Sequence, residues 1–111
     1  MVNFVGMIHP FISSKLPELI EIFKKHQVKK VYLFGSAVTE KFNDDSDIDF
    51  LIDPLDEDDE PDPAARGEIL WDLYYALKYF LNREVDMVTR KSLTNKYFIE
   101  ELNRTSIPIY G

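Results

Sequence analysis

Val31-Tyr32-Leu33-Phe34-Gly35-Ser36, then ten further residues, then Asp47-Ile48-Asp49-Phe50-Leu51-Ile52 make up the stretch around which the chain organises. Val31 to Phe34 is a short, wholly apolar run rich in strand-forming residues, and it predicts a buried strand that Gly35 brings to an end. A glycine directly after such a strand lets the backbone turn sharply and approach a ligand closely. The hydroxyl of Ser36 and the amides of a following helical turn are then placed to hold phosphate oxygens. No Gly-Lys-Ser/Thr follows, so this is not a Walker A loop.

In the second run, strand alternation puts Asp47 and Asp49 on one face and Ile48, Phe50 and Ile52 on the other. Two neighbouring carboxylates on one strand face repel each other, and aspartate is depleted in strands. A bound divalent cation is the simplest compensation. The competing reading is a strand that begins only at Ile48 and leaves both aspartates in water. A calcium loop is excluded: Asp45, Asp47 and Asp49 match the start of an EF-hand, but Phe50 stands where glycine is required and Asp56 where glutamate is.

Outward from this stretch, Leu16, Leu19, Ile20 and Phe23 recur at helical spacing, predicting a helix over residues 13–26 capped by Ser13 or Ser14, with Pro17 tolerated in its first turn. Residues 64–81 carry a broad apolar face of Ile69, Leu70, Leu73, Leu77, Phe80 and Leu81, and Asn82-Arg83 closes that helix. Glu84 to Val88 reads as a third strand, with Asp86 facing away from Val85 and Met87. Set beside Asp47 and Asp49, Asp86 would complete a three-carboxylate cage suited to two magnesium ions about 3.5–4 Å apart. The alternative is an exposed aspartate on an edge strand. A helix is expected over 93–103, and Thr105 to Tyr110 is either an edge strand or an extended tail. The order αβ(α)βαβα implies an α/β (α+β) fold, a small mixed sheet packed with helices.

At 111 residues, with 45% hydrophobic content, the chain is expected to fold as one domain spanning 1–111. No apolar run approaches the ~20 residues that cross a bilayer, and no secretory leader is legible, so a cytoplasmic protein without a membrane partner is expected. There is no cysteine, which excludes thiolate metal sites and a thiol nucleophile. A net charge of −7, with no basic cluster interleaved with aromatics, disfavours polynucleotide partners. A magnesium-chelated triphosphate remains compatible, because the metal offsets much of its charge. The run from Asp56 to Asp62 is nearly all acidic, read as a solvated loop or as a surface for a basic partner. His9 and His26 are isolated. Trp71, Tyr74, Tyr75 and Tyr79 on the long helix read as packing or as a surface for a partner or a second copy.

Leu33-Phe34-Gly35-Ser36, ten residues and Asp47-Ile48-Asp49 together resemble the GSx10DxD signature of the DNA polymerase β-like nucleotidyltransferase superfamily. The Val85-Asp86-Met87-Val88 strand is similar to the one carrying that superfamily's third carboxylate. The resemblance runs from about residue 13 to Tyr110 and is to the small minimal nucleotidyltransferase (MNT) group. It implies that Gly35 and Ser36 engage the β- and γ-phosphates of ATP. It further implies that Asp47 and Asp49 ligate two magnesium ions and that Asp86 completes the site where the acceptor oxygen is activated. It implies also a HEPN-domain partner, the pair acting as antitoxin and toxin, with AMP moved onto a tyrosine of the toxin. Two rivals stay open: an antitoxin that masks its partner sterically, and a nucleotidyltransferase acting on a small molecule such as an aminoglycoside. The chain departs from many relatives in having Ala37-Val38-Thr39 where an arginine soon follows Gly-Ser, with Lys41 beyond. It also lacks the extra domain with which larger relatives grip base and acceptor.

Overall fold

A computed structural model describes residues 8–55 and 66–111. The acidic run 56–62 and the first turn of the helix expected from residue 64 lie outside the described residues. The elements, in chain order, are α1 (Pro10–Ser13), α2 (Leu16–Lys25), β1 (Val28–Phe34), β2 (Ile48–Pro54), α3 (Arg66–Leu81), β3 (Val85–Thr89), α4 (Lys96–Thr105) and β4 (Ile107–Tyr110). A 3₁₀ turn, Gly35–Val38, follows β1 and another, Arg90–Ser92, follows β3. The four strands form one mixed sheet in the order β3-β2-β1-β4. β1 runs antiparallel to both β2 and β4, whereas β2 and β3 are parallel. This is the helix-packed mixed sheet that the periodicities imply, and residues 107–110 resolve as its edge strand.

Several boundaries differ from expectation, with β1 beginning at Val28 rather than Val31 and β3 spanning Val85–Thr89 rather than 84–88. The helix expected over 13–26 is split, with Ser14 closing α1 and Lys15 preceding α2. Neither serine caps α2; their hydroxyls instead donate to the carbonyls of Pro10 and Phe11. Pro17 sits in the first turn of α2, where its missing N–H costs nothing. β2 begins at Ile48, as the competing reading of that run has it, and extends to Pro54, so Asp47 lies just before the strand. The last helix starts later than expected, at Lys96, because the Asn95 side chain accepts the Phe98 N–H at 3.0 Å and caps it.

Alternation along the strands divides the sheet into two unlike faces. Val31, Leu33, Ile48, Phe50, Ile52 and Val85 point to one side, where Leu19 and Phe23 of α2 and Leu73, Leu77 and Leu81 of α3 complete the main core. Phe23 meets Phe50 edge-on with ring centroids 6.0 Å apart. The opposite face is covered only in part: Leu102 of α4 packs on Phe34 and Leu51, with Tyr32, Val88 and Leu93 around them. The outer side of α3 carries a strip of touching rings, Trp71 to Tyr75 at 5.0 Å and Tyr75 to Tyr79 at 6.0 Å, with Trp71 60% and Tyr79 77% exposed.

The two sides of α3 are expected to respond differently to truncation. Leu77→Ala, at a fully buried position, should cost about 2–5 kcal/mol in urea unfolding. Tyr79→Ala on the outer strip should stay within about 0.5 kcal/mol.

Candidate active site

The incompletely covered face holds the residues that the sequence singles out. Phe34 of β1 is the register partner of Asp49, and Asp49 is the register partner of Asp86 on β3. Neighbouring strands lie about 4.8 Å apart, so Asp49 and Asp86 stand side by side on one surface. Asp49 is partly buried and Asp86 exposed. Directly beyond Phe34 the chain turns at Gly35, whose φ of +71° lies in the left-handed region. A Cβ there would sit 2.1 Å from Asp49 Oδ2. The turn that ends β1 and the carboxylate on β2 are therefore in contact and form one site. Only glycine satisfies both the dihedral and the close approach.

Asp47 is exposed and sits at the end of a loop that is tied down from a distance. The Arg83 guanidinium, just after α3, donates through Nη2 to the carbonyl of Ser46 at 2.7 Å and to that of Asn43. Its plane lies over the Phe42 ring at 4.5 Å and the Phe11 ring at 5.1 Å. Within the loop, the Asn43 N–H donates to Ser46 Oγ at 3.0 Å and the Asp45 N–H to Asn43 Oδ1 at 2.8 Å. The Ile48 N–H then donates to the Glu84 carbonyl at 3.1 Å, joining the start of β2 to the start of β3. Arg83 thus fixes the approach to both aspartates. Sequence reading took it only for a helix terminator, since nothing local marks a side chain whose partners lie about forty residues away.

The electrostatics of the cluster are those of crowded negative charge. Burial first, then the neighbouring Asp86 and Asp47 carboxylates, together raise the pKa of Asp49 to about 6. Among the described residues, no three His, Asp or Glu side chains are placed to hold a metal ion as a group, so the three-carboxylate cage expected from the sequence is not formed here. Magnesium does not require one. It binds through one or two carboxylates and completes its shell with water and substrate phosphate oxygens. A hard-oxygen donor set and the crowded negative charge around Asp49 fit such an ion. Ser36 is half-buried beside Gly35, with its carbonyl taken by the N–H and hydroxyl of Thr39, both at 2.9 Å. Ala37 and Val38 turn into the core, so the two residues after Gly35-Ser36 supply no charge to the site. His9 caps α1 by accepting the Phe11 N–H, and the His26 ring bonds the Ile22 carbonyl, so both histidines have structural work.

Residues 17–111 match the polymerase beta nucleotidyltransferase family. The chain belongs to that family. A candidate protein adenylyltransferase of Methanocaldococcus jannaschii is 34% identical over 90 residues, covering 74% of this chain and 85% of the relative. A second one from the same organism is 32% identical over 102 residues, covering 85% of this chain and 97% of the relative. Among solved structures, a candidate minimal nucleotidyltransferase aligns with a TM-score of 0.71 at 24% identity, over 92% of this chain and 96% of that one. A tri-AMPylated Shewanella oneidensis HEPN toxin in complex with MNT antitoxin contains a chain aligning at a TM-score of 0.60 and 23% identity, over 89% and 71% of the two chains. A toxin–antitoxin structure with AMP-PNP aligns at 0.64 and 23%, over 86% and 73%. This nucleotidyltransferase therefore shares the fold of minimal nucleotidyltransferases. Among its described residues no helix is long and apolar enough to cross a membrane.

Two outcomes follow from the Gly35–Asp49 contact. Gly35→Ala should destabilise the fold by about 1–3 kcal/mol, because the added methyl meets both a positive φ and a carboxylate. Asp49→Asn should do the opposite. The folded state keeps a proton on Asp49 up to about pH 6, while the unfolded chain releases it near the ordinary aspartate value of 3.8. Stability contributed by that proton is lost as pH rises between those values, leaving a strained carboxylate at neutral pH. Removing the charge should then raise stability by about 1 kcal/mol, a figure reduced for partial exposure. Thermal melts in EDTA against pH check this: the gain from Asp49→Asn should grow from pH 4 to pH 6 and then level.

Proposed function

We propose that this nucleotidyltransferase moves AMP from ATP to a hydroxyl of a partner protein, a tyrosine of a HEPN-domain toxin, in the cytoplasm where ATP is supplied. The observation that carries this reading is the row Phe34–Asp49–Asp86 with the Gly35 turn packed on Asp49. It sets the turn that ends β1 against a group of carboxylates. The names of the M. jannaschii relatives and the AMPylated toxin in one structural neighbour support the choice of nucleotide and acceptor. On this reading residues 1–111 act as a single minimal nucleotidyltransferase domain, and the acceptor side of the site is completed by the partner.

Each residue then has a task. Gly35 admits the terminal phosphates against bare backbone, and Ser36 offers its hydroxyl to their oxygens. Asp47, Asp49 and Asp86 would hold two magnesium ions, which when bound supply neutralising charge for the triphosphate and a lowered pKa for the acceptor hydroxyl. Asp86, exposed on β3, faces the side from which an acceptor can approach. The acceptor oxygen attacks the α-phosphorus, its proton leaves to solvent or to a carboxylate, and the bond to the β-phosphate breaks to release pyrophosphate. Because such transfer depends mainly on positioning and electrostatics, a small rigid sheet face suffices. The exposed ring strip of α3 supports the presence of a protein partner.

Incubation with magnesium, labelled ATP and a cognate HEPN-domain protein should label a tyrosine of that protein. Asp47→Ala combined with Asp49→Ala should reduce labelling by about 100-fold or more. A folded sample that leaves the partner unlabelled contradicts the transfer. If the double variant still neutralises the toxin, neutralisation is steric and not chemical.

A further inference from the structure

α3 buries one side and is aromatic on the other. Leu73, Leu77 and Leu81 enter the main core, whereas Trp71, Tyr75 and Tyr79 recur at every fourth position along the outer side. α2 packs on the same sheet face, but its exposed positions carry Glu18, Glu21, Lys24 and Lys25. A helix that is apolar around most of its circumference is one that is covered on both sides. The outer rings also brace one another, with Tyr74 edge-on to Tyr75 at 5.2 Å and Tyr75 stacked on Tyr79 at 6.0 Å. Little side-chain freedom is therefore lost when a surface closes over them.

The charges beside the rings indicate what that surface is. At about 100° per residue, Glu68, Trp71, Asp72, Lys78, Tyr79 and Asn82 all lie within about 60° of Tyr75 around the helix. A second α3 laid antiparallel across a two-fold axis at Tyr75 brings residues equally far before and after Tyr75 to the same height. Trp71 then stands level with Tyr79 of the second copy, Asp72 with its Lys78 and Glu68 with its Asn82, and each pair occurs twice. Opposite charges meet and like charges do not. The parallel two-fold arrangement would instead set Asp72 against Asp72 and Lys78 against Lys78. Such a self-complementary patch is what an isologous interface requires, and an unrelated partner makes no such demand on the residue order of this helix.

We propose that α3 docks on α3 of a second copy of this chain, antiparallel and centred on Tyr75, to form a two-fold dimer. In the free protein, the partner that the ring strip calls for is this second copy. α3 covers the sheet face opposite the carboxylate row, so the pairing itself leaves both candidate active sites uncovered. Trp71 is 60% and Tyr79 77% exposed. At roughly 150–250 Å² per ring, two strips with their flanking side chains cover about 1,000 Å² in all, the threshold for specific association. That area implies a weak dimer, half formed on the order of 10–100 µM.

Sedimentation velocity from about 1 to about 500 µM, a range that spans this midpoint, tests the pairing. Wild type should pass from monomer to dimer. Trp71 is the single tryptophan, and its emission should move to shorter wavelength over the same range. Tyr79→Ala should weaken the dimer by roughly 10-fold or more, because the lost ring counts at both ends of the interface. Asp72→Lys should weaken it too, and combining Asp72→Lys with Lys78→Asp should restore it, a rescue that loss of folding would not give. A wild type monomeric throughout, a dimer indifferent to Tyr79→Ala, or an Asp72→Lys defect that the exchange does not rescue overturns the proposal. If wild type stays monomeric and instead binds a cognate acceptor protein through a contact that Tyr79→Ala abolishes, the strip belongs to that protein and the proposal falls.

Discussion

The contact between the Gly35 backbone and the Asp49 carboxylate is the constraint around which this protein is arranged. A side chain at position 35 would overlap Asp49 Oδ2, so the turn after β1 and the charge on β2 can coexist only while one of them lacks a Cβ. That close approach brings the region assigned to phosphates against the region assigned to cations. It also leaves Asp49 desolvated and beside two like charges, which destabilises the free protein near neutral pH. A site held in a state that a ligand would relieve is a common form of stability sacrificed to function.

The rest of the molecule keeps that contact in place. One sheet face is fully apolar and closed by α2 and α3, which fixes the strands and leaves the other face able to carry charge. The antiparallel β1–β2 register places Asp49 opposite Phe34, one residue before the turn, and the parallel β2–β3 register places Asp86 beside it. Arg83 then ties the loop before Asp47 to the start of β3 through two backbone carbonyls and two aromatic rings. Covering of the charged face is limited to α4 over Tyr32, Leu51 and Val88. The acidic row at the other end keeps its access to ligand.

Much of this was legible before any coordinates, and the reason is periodicity. Ile48, Phe50 and Ile52 alternating with Asp49 defined a face, and Gly35 after an apolar run defined a turn. Helical spacing located α2 and α3. β2 starts at Ile48, so Asp47 precedes the strand, while Asp49 keeps the alternation and points away from the main core. What escaped the sequence was non-local. Arg83 finds its partners across forty residues, and a cavity beside Gly35 exists only because α4 folds back over β1. No local spacing encodes either. Caps also went astray: Ser13 and Ser14 satisfied helix carbonyls instead of the following amides, because the chain had already entered α1 before reaching them.

The central claim is that Gly35 and Asp49 jointly hold a metal-bound triphosphate. Crystals grown with manganese and a non-hydrolysable ATP analogue test it most directly, through anomalous difference maps. The account predicts manganese bound to the carboxylates of Asp47 and Asp49, with the terminal phosphates lying over Gly35 and Ser36. Manganese bound away from Asp49, or a triphosphate lying clear of the Gly35 turn, would contradict it.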